Sequence, residues 1–324
     1  MRTVFFGSPD FAVPILRVLA ADGRFDVALV VTQAARGSSP VEAASAELGL
    51  PVLKPQTLRS EASRAPIVAA KADLFVVAAF GLIFRQSMLE LPRLGCVNVH
   101  PSVLPRYRGA SPIAATIAMG DSETGVSLMV MDAGIDTGAI ISVDPAQVAE
   151  DDTTESLGHR LANVGAAQAV RDISRWAEGA LNASPQSDGG ASLTRTLTKA
   201  DGWIDWTHAA VDIERQIRAM WPWPRAWTSV GDTTLQVHRA LVVDGERGML
   251  LPGTVIGDRK SLIVGTGDGL LELMTVEPAS RKPMSAAAYL NGRRTPVLEL
   301  GTFGAPAPQT PLVVAVPDSL HGDG

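Results

Sequence analysis

A chain of 324 residues is longer than one ordinary hydrophobic core fills, so two domains are expected, and an apolar share of 46% is ample for both. The formal net charge of −6 argues against a molecule that grips nucleic acid through bulk positive charge, while leaving room for a local basic patch. The single cysteine, Cys96, rules out a disulfide framework and a thiolate-rich metal site, and it suits a reducing cytosol.

Met1 to Gly7 is a short β-type run ending at glycine, unlike the charged start and long apolar core of a secretion signal. The longest apolar runs, such as Leu74 to Phe80, fall far short of the ~20 residues of a membrane span. A soluble, cytoplasmic protein with no membrane partner is expected. Thr3 to Phe6 reads as strand, Gly7 to Asp10 as a tight turn, and Phe11 to Ala20 as helix. Apolar strands follow at Val27 to Thr32, Val52-Leu53 and Leu74 to Ala79. Helices lie between them at Val41 to Leu48 and Ser60 to Lys71, and Gln86 to Leu91 is a short helix beyond. This alternation predicts an α/β fold, a Rossmann-like and mostly parallel sheet covered on both faces. The first turn holds one glycine where dinucleotide binding needs three, and no phosphate-loop motif occurs, so nicotinamide, flavin and triphosphate chemistry have no support. Ligands of such sheets bind beyond the carboxyl ends of the strands, which puts the loops after Phe6, Ala79 and Val99 on one rim.

Cys96 to His100 is a buried strand running into a loop that Pro101 and Pro105 stiffen. Ala110 to Ala118 then reads as helix and Gly125 to Met131 as strand. The loop Asp132 to Gly138, with two glycines and two acids, precedes a strand at Ala139 to Val143 and a helix from Thr154 to about Ala180. Residues 183–202 are small, polar and glycine-rich, the composition of a flexible linker between a first domain at 1–182 and a second at 203–304. The second opens with a helix, Ala209 to Met220. Short strands at Ala226 to Val230, Leu235 to Val243, Gly253 to Ile256, Ser261 to Gly265 and Gly269 to Val276 suggest a small barrel. The proline-containing stretch 305–324 is expected to be a disordered tail.

Asn98 and His100 stand two residues apart, so in a strand they share a face. Asp136 adds a carboxylate able to orient the imidazole. Together an amide, an imidazole and a carboxylate suit attack on a carbonyl: the first two hold the oxyanion, and the third takes up protons. On residues alone the bland alternatives stand beside this: a turn asparagine, a structural histidine, an aspartate closing a glycine turn. No second histidine or acid falls at metal-ligand spacing, so no metal is expected. Ser102 lacks the strand-turn-helix elbow of a nucleophile.

Four segments carry a resemblance: Phe6 to Phe11, Val77 to Ile83, Asn98 to Ile113 and Met131 to Gly138. They are similar to the methionyl-tRNA formyltransferases of the folate-dependent formyltransferase family, over residues 1 to about 300. Ile204-Asp205-Trp206, Ile217-Arg218-Ala219, Pro222-Trp223-Pro224 and Arg281 to Ala286 resemble the C-terminal domain of the same enzymes. The resemblance implies formyl transfer from 10-formyltetrahydrofolate, as cosubstrate, to the α-amino group of initiator methionyl-tRNA; a monomer is expected. It implies Asn98, His100 and Asp136 as the catalytic group. Ser102, Val103, Leu104 and Pro105 become the folate-binding segment, with valine at 103 where relatives usually carry leucine. Phe80, Gly81, Leu82, Ile83, Asp132 and Gly134 would line the pterin pocket. The second domain becomes an OB-like barrel that helps hold tRNA, with Arg215, Arg218, Arg225, Arg281, Lys282, Arg293 and Arg294 as phosphate contacts, the alternative being a face of ordinary surface charge. One departure concerns the loop after Gln33, where these enzymes carry a longer basic insertion. Here Ala34 to Ser39 keeps only Arg36. Two rival readings remain: a formyltransferase acting on a small amine, which has no need of the second domain, and a folate- or tRNA-binding protein without turnover.

Overall fold

The computed structural model describes residues 1–34, 37–187, 189–244, 250–257, 260–292, 299–301, 305–306 and 310–316. The first domain runs β1 (Arg2–Gly7), α1 (Ala12–Ala21), β2 (Asp26–Val31), α2 (Pro40–Glu47), β3 (Val52–Leu53), α3 (Glu61–Ala69) and β4 (Leu74–Ala78). It continues through α4 (Gln86–Leu89), β5 (Cys96–His100), β6 (Arg108–Gly109), α5 (Pro112–Ala118), β7 (Glu123–Val130), β8 (Ile140–Gln147) and α6 (Thr154–Ala177). Seven strands make one sheet in the order β3-β2-β1-β4-β5-β7-β8, parallel as far as β5 and antiparallel beyond it.

The continuous apolar strands split by parity. Phe5, Val76, Val97, Val99 and Leu128 pack with Ile15, Leu16 and Leu19 of α1 and with Leu157, Leu161, Ala166 and Ile173 of α6. Val4, Phe6, Phe75, Val77 and Cys96 face the other way, toward Ile67 of α3 and Met88 and Leu89 of α4. Each of the wholly buried large side chains contributes roughly 1.5–3 kcal/mol. Asn98 and His100 have the parity of Cys96, so they lie on the α3/α4 side and not under α1 and α6. α6 starts where Thr153 accepts from Ser156 N–H while the Ser156 hydroxyl accepts from Thr153 N–H, a reciprocal cap.

The stretch read as a flexible linker is tied down at several points. Ser184 bridges to Ile140, β9 (Ser192–Thr194) pairs with β6, and Lys199–Gly202 forms a 3-10 turn closed by the Arg195–Asp201 ion pair. Two of its small polar side chains bond to the first domain: Ser192 Oγ accepts from Tyr107 N–H, and Thr194 Oγ1 donates to Arg108 O. Within the expected tail at 305–324, Val313–Ala315 forms a strand, while 307–309 and 317–324 lie outside the described residues.

The second domain contains α7 (Ala210–Ala219), β10 (Ala226–Val230), β11 (Thr233–Val243), β12 (Val255–Gly257), β13 (Leu262–Gly265), β14 (Leu270–Pro278), β15 (Met284–Ser285) and α8 (Ala286–Asn291). Its strands pair antiparallel in the order β10-β11-β14-β13-β12, with β15 on β14. The last strand, β16 (Val313–Ala315), returns to the first domain and completes a three-stranded sheet β16-β9-β6. α7 serves two cores: Ile213 and Ile217 belong to the second domain's cluster, while Ala219 and the following Met220 join that of α1 and α6. Among the described residues no helix is long and apolar enough to cross a membrane.

Candidate active site

Parallel pairing sets Val77 of β4 beside Asn98 of β5, so the loop leaving β4 at Ala79 starts next to the strand bearing Asn98 and His100. Asp136 arrives from an antiparallel neighbour. Because β7 is antiparallel to β5, with Val130 opposite Val97, its carboxyl end lies at the amino end of β5. The segment 131–139 therefore turns back along β5 to bring Asp136 to His100. Gly138 makes the return possible, since a Cβ there would lie 1.7 Å from Val130 O.

The three side chains converge. Asn98 Nδ2 donates to Asp136 Oδ1 at 3.1 Å, the Gly109 N–H donates to Oδ2 at 2.8 Å, and His100 Nδ1 stands 3.5 Å from Oδ2. His100 Nε2 lies 2.9 Å from Tyr107 O. With its proton on Nε2 the ring donates to that carbonyl. A proton on Nδ1 would be too far from Asp136 for a normal hydrogen bond and so would stay available to another acceptor. His100 is buried and Asp136 is partly open, its side chain 16% exposed. The backbone is left-handed at Asp136 (φ 51°), Tyr107 (φ 60°) and Ala79 (φ 48°), a conformation costing about 1–3 kcal/mol at each and concentrated around this spot. Gly109, at φ 98°, also has to be glycine: a Cβ would lie 2.2 Å from Thr194 O of β9.

The remaining predicted residues fall into groups. Ser102 is buried, donates to Arg106 O and accepts from Ser127 Oγ through its own carbonyl; Leu104 is buried and its N–H donates to the same Ser127 Oγ. Both build the loop, leaving Val103 as its exposed apolar side chain and Pro105 partly exposed. Phe80 packs edge-on against Phe6 and Phe84, Gly81 sits against Gln33, Leu82 is half-buried and Ile83 is 84% exposed. Asp132 accepts from Gly134 N–H and Thr137 Oγ1, which shapes the turn ahead of Asp136, and Ile135 in the same turn is exposed.

The expected phosphate contacts divide more sharply. Arg218 grips Glu214 with two N–H groups and reaches Asp152 O in the first domain, so its guanidinium is occupied at the domain junction. Arg215 lies over Gly120 of the first domain, and Arg225 stacks on Trp221 while bonding Gln236 and Glu277. Arg281 and Lys282 are exposed beside β15. Arg36, Arg293 and Arg294 lie outside the described residues. Sequence reading missed Gln186, whose amide touches the Asp136 loop; nothing in the run Ser184-Pro185-Gln186-Ser187 sets it apart.

The family model described as formyl transferase matches residues 1–173, and that of the formyl transferase C-terminal domain matches residues 196–294. The chain belongs to the formyl transferase family. Among its relatives, a methionyl-tRNA formyltransferase of Roseiflexus sp. (strain RS-1) is 44% identical over 302 residues, 91% of this chain and 93% of its own. Another, of Stutzerimonas stutzeri (strain A1501), is 42% identical over 313 residues, 93% of this chain and 98% of its own. A crystal structure of WlaRD, a sugar 3N-formyl transferase in the presence of dTDP and 5-N-formyl-THF, superposes with a TM-score of 0.66 at 17% identity, over 87% of this chain and 99% of that one. At that identity the likeness is one of fold. This formyl transferase therefore pairs its family's sheet domain with the family's C-terminal domain, and the acid, amide and imidazole meet at the sheet.

Proposed function

We propose that this formyl transferase moves the formyl group of 10-formyltetrahydrofolate to the α-amino group of methionyl-initiator tRNA, in the cytoplasm and as a monomer. The observation that carries the reading is the meeting of Asn98, His100 and Asp136 at one partly open point. Its substrate follows from the names of relatives at 40–44% identity over nine-tenths of the chain. A folate donor accords with the 5-N-formyl-THF named in a crystal structure of the same fold.

The neutral amine attacks the formyl carbon, a C–N bond forms, and the carbonyl oxygen takes up negative charge. The second N–H of Asn98 is one donor for that oxyanion, and the other is the Nδ1–H of a doubly protonated His100 ring, which keeps its Nε2–H on Tyr107 O. Asp136 accepts the proton shed by the attacking nitrogen, and a relay through water returns it to the folate nitrogen as the old C–N bond breaks. No covalent link to the enzyme is needed. Exposed Ile83, Val103 and Ile135 are the apolar side chains for the pterin, with backbone groups of 80–83, 102–105 and 132–134 reading its polar edge. The antiparallel second domain, read as an OB-like barrel, holds the tRNA with Arg281 and Lys282 on phosphates.

The test is formylation of methionylated initiator tRNA beside elongator tRNA, glycinamide ribonucleotide and an amino-sugar nucleotide. Turnover confined to the initiator form is expected. Preference for a small amine would overturn the substrate assignment, and folate binding with no single-turnover product would overturn the reaction.

A further inference from the structure

We propose that Gln186 is a positioning residue for the reaction, acting through Asp136; the inference rests on the catalytic reading of that carboxylate. Asp136 occupies a left-handed conformation that an aspartate adopts only at a cost, so its surroundings must impose it. Gln186 supplies the restraint. Its Nε2 donates to Asp136 O at 2.7 Å and to Gly138 O at 2.9 Å, and its Oε1 accepts from Arg108 Nε at 3.0 Å and from Nη2 at 2.8 Å. A primary amide has two N–H groups and two lone pairs, and all four are engaged. The amide can face only one way, because arginine offers nothing but donors and the two carbonyls nothing but acceptors.

The hydrogen bonds close a ring. From Gln186 it passes to Arg108, along one peptide to Gly109, from the Gly109 N–H to Asp136 Oδ2, and from Asp136 O back to Gln186. Main chain and carboxylate of one residue are thus fixed from the same frame. A side-chain rotation of Asp136 would break the Gly109 bond, and a backbone rotation would break the Gln186 bond. The three atoms offered to the substrate keep their spacing only while the ring is intact.

The experiment compares Gln186→Met, which keeps the volume and removes all four bonds, with Gln186→Glu, which keeps an acceptor for Arg108 but turns a carboxylate oxygen onto two carbonyls. Steady-state kinetics on the full chain should give kcat lower by about 10- to 100-fold in both, with each KM within about twofold, since a displacement near 1 Å carries losses of this order. Because Gln186 acts through Asp136, the Gln186→Met/Asp136→Asn double variant should be no slower than Asp136→Asn alone. Unchanged kcat, or losses that multiply in the double variant, would make Gln186 a mere fastening of its segment and overturn the proposal. Should Gln186→Met melt below the assay temperature, Gln186→Glu retains the Arg108 tether and gives the same comparison. Full turnover in Asp136→Asn alone would instead remove the catalytic reading, a separate and recognisable outcome.

Discussion

Replacing Asp136 by asparagine changes one atom and one charge, and the structure dictates how the site must respond. The Gly109 N–H belongs to the backbone of β6 and cannot turn away, so the amide oxygen of the new asparagine stays on it. The amide nitrogen then meets Asn98 Nδ2, a donor facing a donor. Asn98 can relieve this by rotating its amide to present Oδ1, which preserves the fold but withdraws its N–H groups from the oxyanion. Two hydrogen bonds to an ionised acceptor, worth about 1.5–3 kcal/mol each, become bonds between neutral groups at about half that, so a stability loss of about 1.5–3 kcal/mol is expected. The rate should suffer more. Loss of the proton acceptor and of the partner facing His100 Nδ1 should lower kcat by about 10² to 10⁴, equivalent to about 2.7–5.5 kcal/mol in the barrier. Binding should change little, because the interaction belongs to the transition state. The assay is formylation of charged initiator tRNA with kcat and KM resolved, beside a thermal melt. A folded Asp136→Asn protein whose kcat stays within threefold of the parent would refute the assignment.

Gly109→Ala should cost about 1–2 kcal/mol for the left-handed backbone and more for the contact with Thr194 O, and separating β6 from β9 should lower both the melting temperature and kcat; an unaltered melt would count against the tightness of that pairing. Replacing Arg281 and Lys282 by alanine should weaken tRNA binding and reduce the salt slope of log K by about one per residue, with the melt unchanged. Arg218→Ala should do the reverse, destabilising the chain by about 1–3 kcal/mol through loss of the Glu214 and Asp152 bonds while leaving the salt slope alone; a changed slope would return Arg218 to the phosphate contacts. Burial opposes the Asp152 carboxylate, yet Arg160, the Ala149 N–H and the Ser156 hydroxyl outweigh it and hold its pKa below the ordinary carboxylate value. A folded pKa below the unfolded value of about 3.9 contributes stability that is complete above that value and is lost as pH falls through the folded pKa. Melting temperature should therefore drop on the acid side of about pH 4, and Asp152→Asn should lower it at neutral pH and flatten the acid limb; an acid limb as steep as the parent's would exclude this carboxylate as its source.

Much of the fold was legible because its elements announce themselves locally. A continuous apolar run as short as Leu74–Ala78, rich in β-branched and aromatic residues, reads as a strand buried on both faces, and Ala226–Val230 is bounded by turn residues that leave little freedom. Asn98 and His100 were legible as a pair for the same reason: a period of two puts them on one face whatever surrounds them. Not every short strand was legible in this way. β6, β9 and β16 have no periodicity of their own, and they exist because each satisfies the backbone groups of the next. Small polar composition marks a linker only if its hydrogen bonds go to water, and here those of Ser192 and Thr194 go to Tyr107 and Arg108.

By itself, then, the sequence determined the longer strands of the central sheet, the face that the imidazole and amide share, and the carbonyl chemistry open to them beside the structural alternatives, since alternation and side-chain type are properties of the chain alone. Only the tertiary structure decided that Asp136 reaches them by folding back from an antiparallel strand, that Arg218 bonds Glu214 and Asp152 at a domain junction, and that Gln186 bonds the backbone of the Asp136 loop. The physical reason is common to all three: a hydrogen bond between residues 38, 50 or 66 apart leaves no trace in local composition, because its geometry is set by how distant elements pack and not by either residue's neighbours in sequence.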